Sequence, residues 1–220
     1  MSEFKLPNPG DIILFSGIGW KSWLVEGVTC SPFSHIAHCA YITKKDLAKT
    51  RPVRKWKLTQ EQIDAWQDGL YIVESTTLGN LPCAIQGIPF SGVQVHSYEE
   101  YVRSYYGKVW LMPLIDALSS EESQRLTDVS LDLVGKPYDT AGAGLSGTRL
   151  LKHLCFWRTA DRSTVFCAED AWVCLSFTLQ GRLLPLVDPG EVSPRGLVDV
   201  LSEWYLYGKP QLQAGLAKGT

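Results

Sequence analysis

The chain lacks the features that mark membrane, secreted and nucleic-acid-binding proteins. No charge-free apolar run approaches the roughly 18 residues that a transmembrane helix requires. The opening MSEFKLPNPGD has no basic stretch followed by an apolar core, as a signal peptide would have. The 21 basic and 23 acidic residues give a net charge of −2, which argues against a nucleic-acid partner. We therefore expect a protein made in the cytoplasm, with no transmembrane segment.

Little in the sequence points to disulfides or to a bound metal. The six cysteines include no C-x-x-C pair, and a chain of 220 residues can bury a core without covalent links, so we expect reduced thiols. Four potential zinc ligands fall close together, at Cys30, His35, His38 and Cys39. Because side chains alternate along a strand, His35 and His38 would face opposite sides, which disfavours zinc. We therefore expect no metal and no cofactor.

What is present is an ordinary globular composition, with 45% hydrophobic and 20% charged residues. Short apolar runs predict five strands, at residues 12–15, 36–42, 70–75, 93–96 and 109–114. Short helices are expected at 19–28, 60–66 and 98–105, and longer ones after Ser119 and from about Cys167 to Leu179. Ser119 and Glu122 have the spacing of a capping box, which marks a helix start. Strands followed by helices indicate an α+β fold.

The chain length favours one domain over residues 1–220. A charged segment at about 44–69 interrupts the strands and is interpreted as a solvated insertion. A G-x-G-x-x-G match at 142–147 lacks the preceding strand and following helix of a dinucleotide site, so it predicts a loop.

Cys167 is the first candidate for chemistry, because it lies where Val165 and Phe166 give way to a helix. The unpaired N–H groups and the positive dipole end of a helix N-terminus favour the thiolate, which is the nucleophilic form. Glu169 and Asp170 in the first turn partly oppose this effect. The alternative is a buried cysteine that packs and does not react.

A reactive thiol needs a base, and a base is usually oriented by a further group. His35 opens the second strand and shares its face with Cys39, whereas His38 shares the more apolar face and is interpreted as a core histidine. Glu74 lies in the apolar Tyr-Ile-Val-Glu-Ser strand, where a carboxylate is costly unless it is paired. A pairing of His35 with Glu74 is a hypothesis that spacing alone does not establish.

Several segments, taken in order, resemble the permuted papain-like cysteine hydrolases, the YiiX-like relatives of the NlpC-type cell-wall peptidases. No single segment is specific, but together they span nearly the whole chain. They are Pro9-Gly-Asp-Ile-Ile-Leu-Phe15, Thr29-Cys-Ser-Pro-Phe-Ser-His35, Tyr71-Ile-Val-Glu-Ser75, Gly92-Val-Gln-Val95, Val134-Gly-Lys-Pro-Tyr-Asp139, Phe166-Cys-Ala-Glu-Asp-Ala171 and Ser193-Pro-Arg-Gly-Leu197.

The resemblance implies a circularly permuted fold, an antiparallel sheet or small barrel with the nucleophile helix packed against it. It implies that Cys167 is the nucleophile, His35 the general base and Glu74 its orienting partner. It also places Tyr138 near the thiol, either to stabilise an oxyanion or simply to pack. The family's cysteine is commonly followed by Ser-Glu-Leu, whereas this chain has Ala-Glu-Asp.

The expected function is that of a cysteine peptidase or amidase-type hydrolase, which cleaves an amide or ester of a peptide or acyl substrate through a thioacyl-enzyme. By analogy, a peptidoglycan peptide or isopeptide bond is the leading substrate. The alternatives are a lipid acyl hydrolase or acyltransferase of the same fold, and a binding or virion-associated module without turnover.

Overall fold

The apolar runs of the first half pair into a sheet in the computed structural model of the chain. The structure describes residues 6–18, 26–27, 31–49, 58–77, 81–140, 166–180, 182, 193–203 and 206–213. The strands are β1 (Ile12–Gly17), β2 (His35–Ile42), β3 (Gly69–Thr76), β4 (Gly92–Ser97), β5 (Gly107–Met112) and β6 (Gln211–Leu212). Their order is β4-β3-β2-β1-β5-β6, and every neighbouring pair is antiparallel.

The predicted alternatives were an antiparallel sheet and a small barrel. The described strands form an open antiparallel sheet, with β4 and β6 at its edges. The five predicted strands are all present, with ends shifted by one or two residues. β6 was not predicted, because two residues are too few to show an alternating pattern.

Six helices accompany the sheet in the described residues. They are α1 (Lys44–Lys49), α2 (Gln60–Ala65), α3 (Tyr98–Ser104), α4 (Ser120–Leu133), α5 (Cys167–Thr178) and α6 (Pro194–Glu203). The capping box at the start of α4 is confirmed, since the Ser119 hydroxyl accepts from the Glu122 N–H while the Glu122 carboxylate accepts from the Ser119 N–H. The helix expected at 19–28 lies outside the described residues except at 26–27, which are helical.

Both faces of the sheet are covered, which explains why β1 reads as a continuous apolar run. Ile12 and Leu14 point into a core shared with α5 and α6. Ile13 and Phe15 point into the core on the opposite face, together with residues of α3. The two helices α4 and α5 pack against each other and against β2. The expected packing of the Cys167 helix on the sheet is therefore found.

The charged segment at 44–69 is not simply solvated, which corrects the interpretation made from its composition. It carries α1 and α2, whose Leu47 and Ile63 are buried. Trp66 is 9% exposed and stacks on Tyr71 of β3 at a ring distance of 4.5 Å. Three apolar residues spaced among many charges were enough to attach the segment to the core. No helix of the described residues has the length and apolar character needed to cross a membrane.

Candidate active site

The candidate site lies at the end of the sheet where β2 begins and β1 and β3 end. His35 is the first residue of β2 and is paired with Phe15 near the end of β1. Glu74 lies near the end of β3, on the face that also carries the His35 side chain. Cys167 is the first residue of α5, which packs on β2 and β3 from the other face. Because His35 stands at the end of its strand, its ring can contact groups from both faces.

His35 and Glu74 form the central pair of the site. The imidazole Nε2 of His35 makes a short hydrogen bond to Oε2 of Glu74. The Glu74 side chain is fully buried, whereas the His35 side chain is 17% exposed. A carboxylate enclosed in this way requires a partner, and His35 supplies one. The structure thus brings together the two residues whose pairing spacing alone did not establish.

Cys167 also acts on the His35 ring, since its side chain and its charge raise the pKa of His35. Glu74 occupies the Nε2 atom of this ring. Cys167 is 5% exposed and follows Phe166, the N-cap of α5. The first N–H groups of a helix have no acceptor within it, so they face outward from this terminus. The side chains of Cys167, His35 and Glu74 therefore form one row of interacting groups.

The surroundings of His35 favour its protonated form. Burial alone would lower its pKa, but the negative charge of Glu74, the hydrogen bonds to Cys167 and Glu74 and the charge of Cys167 together raise the pKa of His35 from 6.5 to about 10. Burial alone would raise the pKa of Glu74, but the charge of His35 and its hydrogen bond hold that pKa below its ordinary value. At neutral pH the pair is therefore an imidazolium and a carboxylate.

Tyr138 lies beside this row, held there by a close backbone approach. Gly92 has a positive φ of 150°, and a Cβ at this position would stand 2.2 Å from the carbonyl oxygen of Lys136. The missing side chain lets Gly92 form a bridge with Pro137, which brings Tyr138 against the core that contains Cys167. Burial and the charge of Cys167 raise the pKa of Tyr138, so its phenol stays protonated.

Two further residues contact Glu74 and were missed in the sequence. Tyr101 of α3 donates a hydrogen bond from Oη to Oε2 of Glu74 at 2.9 Å. His96 of β4 places Nε2 3.5 Å from the other oxygen, Oε1. The only local signal for His96 was its alternation with Gln94 in an otherwise apolar strand. Tyr101 carried none, because its role depends on how α3 folds back over the sheet.

His38 belongs to a separate buried group on the other face of β2. Its Nε2 lies 2.8 Å from the Ser130 hydroxyl of α4, and its Nδ1 lies 3.8 Å from Oδ2 of Asp170 in α5. Burial lowers the pKa of His38 to about 3, so this ring is neutral. A hydroxyl, an imidazole and a carboxylate thus follow one another as in a catalytic triad. However, Ser130, His38 and Asp170 are each 0% exposed. They form part of the core, as the apolar face of His38 predicted.

The zinc alternative has no support in the part of the chain that the structure describes. His35 and His38 point to opposite faces, and Cys30 lies outside the described residues. No group of three His, Cys, Asp or Glu side chains among those residues is arranged to hold a metal ion.

Comparisons with known proteins add little to this geometry. No protein-family model matches the chain, and no curated protein matches it. Among solved structures, the chain is similar to the crystal structure of the metalloprotein yiiX from Escherichia coli O157:H7. The TM-score is 0.49 and the identity 16%, over 96% of this chain and 91% of that one. Nothing about the chemistry of the site follows from a likeness at this level.

Proposed function

We propose that this chain is a cysteine hydrolase that cleaves an amide or ester bond through a thioacyl-enzyme. The observation that carries the proposal is the His35 imidazole, which is hydrogen-bonded to the buried Glu74 and interacts electrostatically with Cys167 at the start of α5. A nucleophile beside a base that is itself oriented by a third group is the arrangement that activates thiols in acyl transfer.

The electrostatics support an imidazolium at His35. Glu74 and Cys167 together stabilise the protonated ring. The start of α5 adds the positive end of a helix dipole at the sulfur. The thiolate is the form that attacks a carbonyl carbon.

In the proposed reaction the Cys167 sulfur bonds to the substrate carbonyl carbon, and the carbonyl oxygen takes the negative charge. His35 then gives its proton to the leaving nitrogen or oxygen as the bond to carbon breaks. A water molecule attacks the resulting thioester, with His35 accepting its proton, and the acid product leaves as the thiolate re-forms. Glu74 keeps the imidazole oriented and stabilises its positive charge through both steps.

The oxyanion is assigned to the Cys167 backbone N–H at the start of α5 and to the Tyr138 phenol. The assignment of Tyr138 rests on its place beside Cys167 and on its protonated hydroxyl. Replacing Tyr138 with phenylalanine keeps the ring and removes the donor. We expect kcat to fall on the order of 100-fold, since loss of one oxyanion donor has this effect. Unchanged kcat would show that Tyr138 only packs.

The proposed substrate class is a peptidoglycan peptide or isopeptide bond, and its support is the sequence resemblance alone. The chain order of His35, Glu74 and Cys167 is also the order of the permuted branch, to which we assign the fold. Peptidoglycan fragments and short- and long-chain acyl esters, incubated in parallel, test the substrate. Hydrolysis of the esters alone would replace the peptidase assignment with that of an acyl hydrolase.

Iodoacetamide alkylation tests the nucleophile without a known substrate. Each of the six cysteines is followed by mass spectrometry across pH, and we expect Cys167 to react fastest in the folded protein. His35→Asn should slow the alkylation of Cys167 by more than about tenfold, since it removes the imidazolium. His38→Asn is the matched control, because His38 occupies the same strand but contacts Ser130 instead of Cys167.

Two results would contradict the proposal. One is a rate at Cys167 no higher than at the other five cysteines, with a small probe such as methyl methanethiosulfonate giving the same ranking. The other is equal loss of rate in His35→Asn and His38→Asn, which would indicate a general effect on folding instead of a dyad.

A further inference from the structure

The Glu74 carboxylate is held by more than His35. Its Oε2 accepts hydrogen bonds both from His35 Nε2 and from Tyr101 Oη, the latter at 2.9 Å. Its Oε1 faces His96 Nε2 at 3.5 Å. The carboxylate is fully buried, and Tyr101 is 8% exposed. Three elements, β2, β4 and α3, therefore converge on one acidic group.

We propose that Tyr101 is a positioning residue, which fixes the Glu74 carboxylate in the ionised state and in the orientation that His35 requires. This inference deepens the proposed function and rests on it. Tyr101 touches neither Cys167 nor the expected substrate position in any described contact, so its effect passes through Glu74.

The position of the Tyr101 hydroxyl is set by the packing of its ring. The ring meets Phe15 edge-on at 5.6 Å and lies 4.9 Å from the ring of His96. Phe15 in turn lies 5.6 Å from the ring of His35. Aromatic contacts of this kind restrict ring movement. One rigid set of rings thus positions both donors of Oε2.

The chemistry of the donor suits a buried carboxylate. Desolvation disfavours the charged form of Glu74, and a hydrogen bond donated to that form favours it. Burial and the nearby Glu74 charge raise the pKa of Tyr101 well above its ordinary value, so the phenol keeps its proton and donates at neutral and acidic pH. With two donors on one oxygen, rotation of the carboxylate would break a charge-assisted bond.

Other ionisable groups also act on this pair and have to be held constant in a test. The groups that interact electrostatically with Glu74 or His35 are His96, Tyr105, Cys83, Asp170, Tyr138 and Cys167. A single hydroxyl deletion leaves all of them in place.

The test compares Tyr101→Phe with the wild type and with Tyr71→Phe. Tyr71 is a matched control, because it is a buried tyrosine of the same strand as Glu74 but donates to the neutral carbonyl of Gln67. Isotope-labelled glutamate, with Glu74→Gln used for assignment, reports the carboxyl titration by NMR. We expect the midpoint for Glu74 to rise by about one pH unit in Tyr101→Phe, the size of one hydrogen bond to a charged group. Tyr71→Phe should leave it unchanged.

Unfolding by urea supplies a second readout. The pKa of Glu74 is lower in the folded protein than its ordinary 4.5, so its contribution to stability is complete above pH 4.5 and is lost as the pH falls through the folded pKa. The loss of stability in Tyr101→Phe relative to wild type should therefore be constant at neutral pH and shrink below pH 4.5. In Tyr71→Phe the difference should not depend on pH.

The outcomes separate this inference from the proposed function. An unchanged Glu74 midpoint and a pH-independent stability loss in Tyr101→Phe would overturn the role of Tyr101, even if Cys167 is reactive. An unreactive Cys167 together with a shifted Glu74 midpoint would contradict the proposed hydrolase function. Tyr101 would then position Glu74 without serving catalysis. A ring-fluorinated tyrosine at position 101, a stronger donor of similar shape, should lower the midpoint; a rise would count against the hydrogen bond.

Discussion

Replacing Glu74 with glutamine removes one charge from the site and leaves its shape nearly unchanged. The pKa of His35 stands at about 10 against an ordinary 6.5, which corresponds to about 5 kcal/mol of preference for the imidazolium. The 17% exposure of the His35 side chain makes that figure an upper bound. Glu74 contributes to it by charge and by hydrogen bonding, whereas burial opposes it. Without the carboxylate, burial opposes a single remaining partner, Cys167.

We expect the pKa of His35 to fall by about 2–3 units in Glu74→Gln, the usual effect of losing an adjacent opposite charge. The ring should then be neutral at pH 9, where the wild-type ring is still protonated. Heteronuclear NMR of the imidazole nitrogens distinguishes these states, and the signal absent from His35→Asn assigns the ring.

Glu122→Gln is the control for the loss of one negative charge. Its carboxylate contacts Ser119 and Arg182, away from the site. It should leave the pKa of His35 unchanged. If His35 in Glu74→Gln is still protonated at pH 9, the charge of Glu74 is not what stabilises the imidazolium, and the electrostatic argument for the site is wrong.

Three further predictions concern stability and are tested by urea unfolding. Because the pKa of His35 is higher in the folded protein, its contribution to folding stability is complete below pH 6.5 and is lost towards pH 10. The difference in unfolding free energy between wild type and Glu74→Gln should therefore shrink between pH 6.5 and pH 10. A constant difference would contradict this prediction. Burial and the charges of Glu74 and Glu169 raise the pKa of Asp170 from 3.8 to about 7. The free energy of unfolding of Asp170→Asn should therefore exceed that of the wild type by up to roughly 4 kcal/mol above pH 7 and by little at pH 4. An equal gain at both pH values would refute this account. Ser119→Ala should lose about 1 kcal/mol through the cap of α4, unless the unfolding midpoint stays unchanged.

Much of the scaffold could be predicted from local patterns, for a physical reason that differs between elements. β1 and β2 are buried on both faces, so they appear as apolar runs whatever they pair with. The start of α4 was visible because the Ser119–Glu122 capping box is made by residues only three apart. These features depend on neighbours in sequence, which a pattern can record.

The contacts that complete the site depend on neighbours in space. Whether Glu74 reaches His35 is decided by the register of β2 on β3, in which His38 is paired with Val73. Tyr101 meets Glu74 only because α3 folds back over β3 and β4. Neither the register of β2 on β3 nor the path of α3 produces a periodic pattern in the local sequence. The attachment of the 44–69 segment through Trp66 was missed for the same reason, since its partner Tyr71 belongs to another element.

Two histidines only three residues apart on β2 have opposite electrostatic surroundings. Burial lowers the pKa of His35, but the charge of Glu74 and the other interactions of the ring together outweigh it, so the pKa of His35 rises to about 10. His38 faces the core, and burial lowers its pKa to about 3. Glu74 and Asp170, both fully buried, differ in the same way: the charge and hydrogen bond of His35 lower the pKa of Glu74, whereas burial and the charges of Glu74 and Glu169 raise that of Asp170 to about 7. Groups whose pKa values are pushed apart by their surroundings are the ones to which opposite roles can be assigned. Charge is stabilised at His35 and Glu74 and suppressed at His38 and Asp170, which is why the acid–base chemistry is assigned to the first pair.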